Sequence, residues 1–387
     1  MTQAFARLSP LLAPQCGSRL SLPRSARLAL ARAALAWLAC IALALAGCRT
    51  AAFQGDEVPE EQARAQLAAA NAQIDRGQSE SALRALAPLW NARNLTPAVR
   101  VEVEHALDRA SQTVAAELGA TGNSPAPLSD LLDEHWPRRV RARLSVAYAR
   151  LLLERQRRMD AYRALRELDE LHPTHEERAS AGALLAQAGL NLAADQRRYW
   201  LFFRYRNYAV PVLEYLVLHY PSDARCPQAY WELAQIYEEW RDYDSARERY
   251  EDLVLYHPDD PRGIEAELAI PALRLRQIQR VDFDRRSLEL ARSELEQWIE
   301  RHPNDVRREQ ADGLRRDALA RLCDSDLKIA RFYLRIEKPE GAHQHALRAR
   351  EFAALVGDAQ REQEALRLLE RAPEGPAGQP PPEGARS

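Results

Sequence analysis

From Glu61 to about Arg371, apolar residues recur every three or four positions between runs of Arg, Glu and Gln, and almost nowhere alternate singly. Side chains at that spacing share one face of a helix, so the pattern predicts helix nearly throughout and almost no strand. Ala, Leu, Arg and Glu dominate the segment, and all four are good helix formers. Residues 49–60 lack any period and read as a tether, while 372–387 hold five Pro and three Gly and are expected to be disordered. A Gly- and Pro-rich break from Gly119 to Pro127 divides an N-terminal helical region, 61–127, from a main array, 128–371. The pattern left open what 93–140 forms.

The main array repeats itself. Glu214 to Asp223 and Glu251 to Asp260 are near copies, 37 residues apart, and the same ending returns at His172-Pro173 and His302-Pro303. Twelve residues before each Pro stands an Ala: Ala161, Ala209, Ala246 and Ala291. Eight before it stand Leu165, Leu213, Tyr250 and Leu295, and five before it Leu168, Leu216, Leu253 and Trp298. These offsets place all three on one helix face, with the small residue where a second helix crosses closest. Proline then stops the helix by excluding the preceding residue from the helical region. Ser222, Asp259 and Asn304 follow at once and are expected to cap the next helix. Each unit is thus two antiparallel helices that bury their apolar stripes only against neighbouring units.

At these residues a known family becomes recognisable. Tyr230, Leu233, Ala234, Tyr237, Ala246, Tyr250, Leu253 and Pro258 resemble the tetratricopeptide (TPR) consensus at every signature position. About six units follow, near 64–92, 142–173, 190–221, 227–258, 270–303 and 323–352. The first is degenerate, with Gly77 and Ala82 in place and no aromatics. The expected fold is an all-α, TPR-like superhelical solenoid of antiparallel helix pairs.

The N-terminus changes the picture of where such a protein acts. Its first 47 residues carry five Arg and no acid, then a short apolar run from Ala33 to Ala46, too short to span a bilayer comfortably. That order reads as a secretory signal, 1–47. Leu45-Ala46-Gly47-Cys48 resembles the lipobox of bacterial lipoproteins, in which the thiol is acylated and becomes the first residue. The resemblance implies a lipid anchor on Cys48, a lipidated tether over 48–60, and sorting to the outer membrane, since Arg49 rather than Asp follows. Removing that leader takes the formal charge from −2 to −7, which argues against a nucleic-acid partner. Only Cys226 and Cys323 then remain beyond the anchor, either paired or packed singly between helices.

Over roughly 200–355 the chain resembles the BamD lipoproteins of the outer-membrane β-barrel assembly machine. The Tyr-Pro and His-Pro unit ends carry the likeness, with the wide interval from Pro258 to Pro303, the long helix Arg307–Leu334, and Glu340-Gly341-Ala342. It implies a non-catalytic scaffold at the periplasmic face of the outer membrane, whose partners are assembly-machine subunits or unfolded barrel proteins. A TPR lipoprotein of pilus or secretin assembly, of envelope maintenance, or an accessory cell-wall module is the alternative.

Candidate chemistry is sparse. No phosphate-cradling glycine loop, HExxH helix or paired CxxC occurs, and no cofactor or metal is expected. His172, His175 and Glu176 lie in a turn between repeats, and His343 and His345 point apart on a helix. Two stretches fit partner binding instead. Tyr199 to Tyr208 holds six aromatics in ten residues, among them Trp200 and Tyr205 beside Arg204. It is either a helix buried on most sides or an exposed Tyr/Trp/Arg surface of the kind found at binding hot spots. The outer face of the helix bearing Tyr230 carries Trp231, Gln235 and Glu238. Trp231 is there either as an anchor for a partner or as packing against the preceding repeat.

Overall fold

The computed structural model describes residues 56–120, 122–197, 204–278 and 285–372. The leader, Cys48, Trp200 and the tail beyond Ala372 lie outside the described residues. Among those described, helices are joined by turns and there is no β-strand. The N-terminal region forms α1 (Glu60–Asp75), α2 (Ser79–Asn91), α3 (Pro97–Leu118) and the short α4 (Ala126–Leu132). The main array follows as α5 (Arg138–Glu154) with α6 (Arg158–Leu171), then α7 (Arg178–Ala193) with α8 (Ala209–His219). Next come α9 (Cys226–Glu239) with α10 (Tyr243–Tyr256), and α11 (Gly263–Gln277) with α12 (Arg285–Arg301). The 28-residue α13 (Arg308–Arg335), α14 (Pro339–Val356) and α15 (Ala359–Arg371) close the chain.

Apart from α3 and the short α4, each helix packs on its sequence neighbours; α3 meets α5, and the first helices of successive units also meet, α5 on α7 and α7 on α9. The chain is therefore an all-α, TPR-like solenoid of antiparallel helix pairs. The repeated positions are its core: Ala246, Tyr250 and Leu253 are buried on α10, and Tyr230, Leu233 and Ala234 on α9. Their counterparts behave alike, down to Ala291, Leu295 and Trp298 on α12. Burying one such large side chain stabilises by about 1.5–3 kcal/mol. Tyr237 is only partly buried and donates its hydroxyl to Glu214 at 3.0 Å.

Four units turn from first to second helix in the same way. Gly77, Gln156, Arg241 and Glu337 all take positive φ, and the next residue's amide reaches back five residues. Arg157 to Leu152 at 2.8 Å and Asp242 to Tyr237 at 3.0 Å are examples of this left-handed helix stop.

Several expectations need correction. The third unit begins at Arg178, not near 190, and its first helix is the Ala-rich α7. Gly182 and Gly189 let α8 approach there: a Cβ on Gly189 would lie 2.4 Å from the Leu213 side chain. Of the aromatic run, Tyr205 and Tyr208 are described, in a 3-10 turn (Tyr205–Tyr208) directly before α8, while residues 199–203 lie outside the described residues. The helix caps also differ. No side chain caps α9, α11 or α13, neither Ser222, Asp259 and Asn304 nor any other; Asp223, Asp260 and Asp305 instead accept from the amides of the N-cap residues Arg225, Arg262 and Arg307, in a turn just outside each helix. The chain needs one residue after the Pro to turn before an amide faces a carboxylate. Residues 93–140 hold α3 and α4, whose core runs on into α5. Cys226 and Cys323 are buried and unpaired, donating to the carbonyls of Tyr220 and Ala349 at 3.2 Å. Burial pushes both thiols up to about 11, so neither is a ready nucleophile.

Candidate functional site

Trp231, Gln235 and Glu238 stand on the face of α9 opposite its buried stripe, and all three open into one cavity of about 220 Å³. Its floor is Tyr250 of α10. Its far wall is α11, through Leu268, Ala272 and Leu273, and Arg307 and Gln310 at the start of α13 close the end. The cavity exists because α9 and α11 touch much less than α5 and α7 or α7 and α9 do, with α10 wedged behind. First helices of three successive units therefore line a single groove.

The polar groups of this groove are held in place. Tyr250 donates its hydroxyl to Glu238 at 2.8 Å, and Arg276 donates to the other oxygen of the same carboxylate at 2.9 Å. Burial, with Glu238 adding to it, pushes the Tyr250 hydroxyl far up, so it stays a donor. Arg307 bridges Glu265 and Asp305. Trp231 is half-buried and meets Tyr250 edge to face at 5.3 Å between ring centroids. Tyr250 belongs to the second helix of the same unit. The arrangement is an aromatic wall and floor, an aliphatic far wall and a rim of fixed carboxylate and guanidinium pairs. That is equipment for seating a side chain and a stretch of backbone. Among the described residues no group of three or more His, Cys, Asp or Glu is placed to hold a metal ion.

The other candidates gather elsewhere. Trp200 lies outside the described residues. Arg204 faces Glu239 at 3.5 Å, and Tyr205 lies beneath the guanidinium of Arg197 at 5.4 Å. Sequence reasoning passed over Arg206, which is buried between units. It donates to the Ala193 carbonyl at 3.0 Å, reaches Gln235 at 3.4 Å and pairs with Glu232 at 3.2 Å. No periodic signal marks it. Leu268 and Ala272 were legible, since they are Trp231 and Gln235 carried forward by the 37-residue repeat. The histidines are committed to protein partners: His175 to Asp169 at 3.0 Å, His345 to Asp326 at 2.6 Å, and His343 to the Ala372 carbonyl at 2.8 Å.

No family model matches the chain, and no curated protein does. Solved structures of similar path exist at low identity. One is the C-terminal part of a TPR repeat-containing protein from Cytophaga hutchinsonii, with 13% identity over 78% of this chain and 99% of that one, at a TM-score of 0.29. A signal transduction ATPase with a tetratricopeptide repeat sensor from Pyrococcus horikoshii shares 13% over 79% of this chain and 44% of its own, at 0.27. Yeast Tom70 shares 14% over 82% of this chain and 61% of its own, at 0.23.

Proposed function

We propose that this chain is a non-catalytic scaffold lipoprotein that captures a segment of another envelope protein in the groove around Trp231. The groove carries this reading: a half-buried Trp facing an aliphatic wall over the Tyr250 floor, rimmed by pre-positioned charge pairs, offers an anchor pocket. In this proposal Cys48 bears the lipid anchor and holds the chain at the periplasmic face of the outer membrane. The partners are subunits of the β-barrel assembly machine or unfolded barrel proteins, and the lipobox and the likeness over 200–355 support that choice. A photo-crosslinking residue replacing Gln235 in intact cells tests it. Crosslinks to the barrel-forming assembly subunit or to unfolded barrel proteins are expected, and Trp231→Ala should remove them while leaving helicity unchanged. Crosslinks to pilus or secretin components alone would transfer the chain to that machinery. Retention of Cys48→Ser at the membrane would remove the anchor from the proposal.

A further inference from the structure

The third unit is built differently from its neighbours, and the difference creates a second surface. Second and fourth units pass from first to second helix in three residues, Arg155–Arg157 and Trp240–Asp242, whereas in the third α7 ends at Ala193 and α8 begins at Ala209. Arg197, Tyr205 and Tyr208, described residues between those two helices, lie over the start of α6 and line a cavity of about 390 Å³. Met159, Leu192, Tyr205 and Tyr208 give it an apolar lining, the two tyrosines being 37% and 39% exposed.

Four guanidiniums surround that lining, and they are shared between only two carboxylates. Asp160 takes Arg157 at 2.8 Å and Arg163 at 2.7 Å, while Asp195 takes Arg158 at 2.9 Å and Arg197 at 2.6 Å. Each acid neutralises one of its two partners, so two positive charges remain in a chain that is acidic overall. Asp195 is buried, and its hydrogen bonds to Arg197 and Arg158 hold its carboxyl well below the usual range, so it stays ionised and fixes both guanidiniums. Arg197 is further held over the Tyr205 ring. Yet the side chains of Arg157, Arg163 and Arg197 are 54%, 69% and 70% exposed. They are positioned in advance but not covered, so a ligand meets them without ordering them first.

We infer that this cavity is a docking site, separate from the Trp231 groove, for an acidic segment of a partner protein that carries an aromatic or long aliphatic side chain. The apolar side chain enters between Met159, Leu192 and the two tyrosines, and flanking carboxylates meet Arg157, Arg163 and Arg197 as planar forks. A recessed cavity favours such a segment over a lipid surface, which presses on protruding faces. The site does not rest on the function proposed for the groove.

The test uses the full-length protein and a fluorescein-labelled peptide of alternating Glu and Phe, followed by anisotropy. Saturable binding that weakens with salt is expected. It should fall about tenfold or more in Arg157→Glu/Arg163→Glu and less in Arg157→Gln/Arg163→Gln. Circular dichroism should match wild type in both variants, and Trp231→Ala should bind normally. Absence of binding, equal binding of a Lys and Phe peptide, or loss in Trp231→Ala would overturn the assignment. So would phosphatidylglycerol vesicles binding through these arginines while the peptide does not.

Discussion

Asp169 shows how one buried charge is made to fit. It sits near the end of α6 and accepts the hydroxyls of Tyr220 at 2.6 Å and Tyr215 at 3.0 Å as well as His175. Burial raises its carboxyl, but the hydrogen bonds from His175, Tyr220 and Tyr215 outweigh that and hold it below its ordinary value of 3.8. A depressed carboxyl contributes stability that is full above the ordinary value and is lost as pH falls through the lowered one. Asp169→Asn should therefore cost about 1–3 kcal/mol at neutral pH by urea denaturation. The gap to wild type should narrow steadily below pH about 4. A gap that is constant down to pH 3 would contradict the charge-based account. The two tyrosines come from the following unit, so this acid also ties α6 to α8.

At the scale of helices, two glycines with the same sequence signature have opposite roles. Gly189 lies inside α7 where α8 crosses, and an added Cβ would press on the Leu213 side chain at 2.4 and 2.9 Å. Gly313 lies inside α13 with no atom within 4 Å of such a Cβ. Gly to Ala in a helix gains about 1 kcal/mol from propensity alone, whereas overpacking costs about 1–3 kcal/mol. Gly313→Ala should raise the denaturation midpoint and Gly189→Ala should lower it. Sequence alone assigns both glycines the same small penalty, and only the crossing of α8 separates them. The left-handed stops give a companion case. Arg241 holds a conformation that favours Gly, so Arg241→Gly should stabilise by up to about 1 kcal/mol, read as a rise in Tm.

Across the molecule the buried apolar residues fall into successive clusters along the solenoid rather than one centre. One spans α1 to α5, a second α5 to α11, and two smaller ones finish the chain. Units that touch only their neighbours unfold as coupled segments, and local damage stays local. Leu107→Ala, deep in the first cluster, should cost about 2–5 kcal/mol. It should split or broaden the denaturant transition, with the aromatic-rich second cluster melting near its wild-type midpoint. A single sharp transition displaced as a whole would show that α5, which lends residues to both clusters, couples them more tightly than this architecture implies.

Periodicity by itself determined the helices, the repeat and its buried positions, because one helix face and one close crossing restrict residue types wherever they recur. Ala246, Tyr250 and Leu253 were readable on those grounds, and Trp231, Gln235 and Glu238 followed as the face left over. Three things depended on tertiary structure. The gap between α9 and α11 turned that face into a cavity. The approach of α8 to Gly189 decided where a larger side chain is excluded. The carboxylate of Asp195 brought Arg158 together with Arg197. Each depends on distances between helices, which a one-dimensional pattern does not encode: local residue type sets which face is apolar, while the packing of neighbours sets how near that face lies to the next.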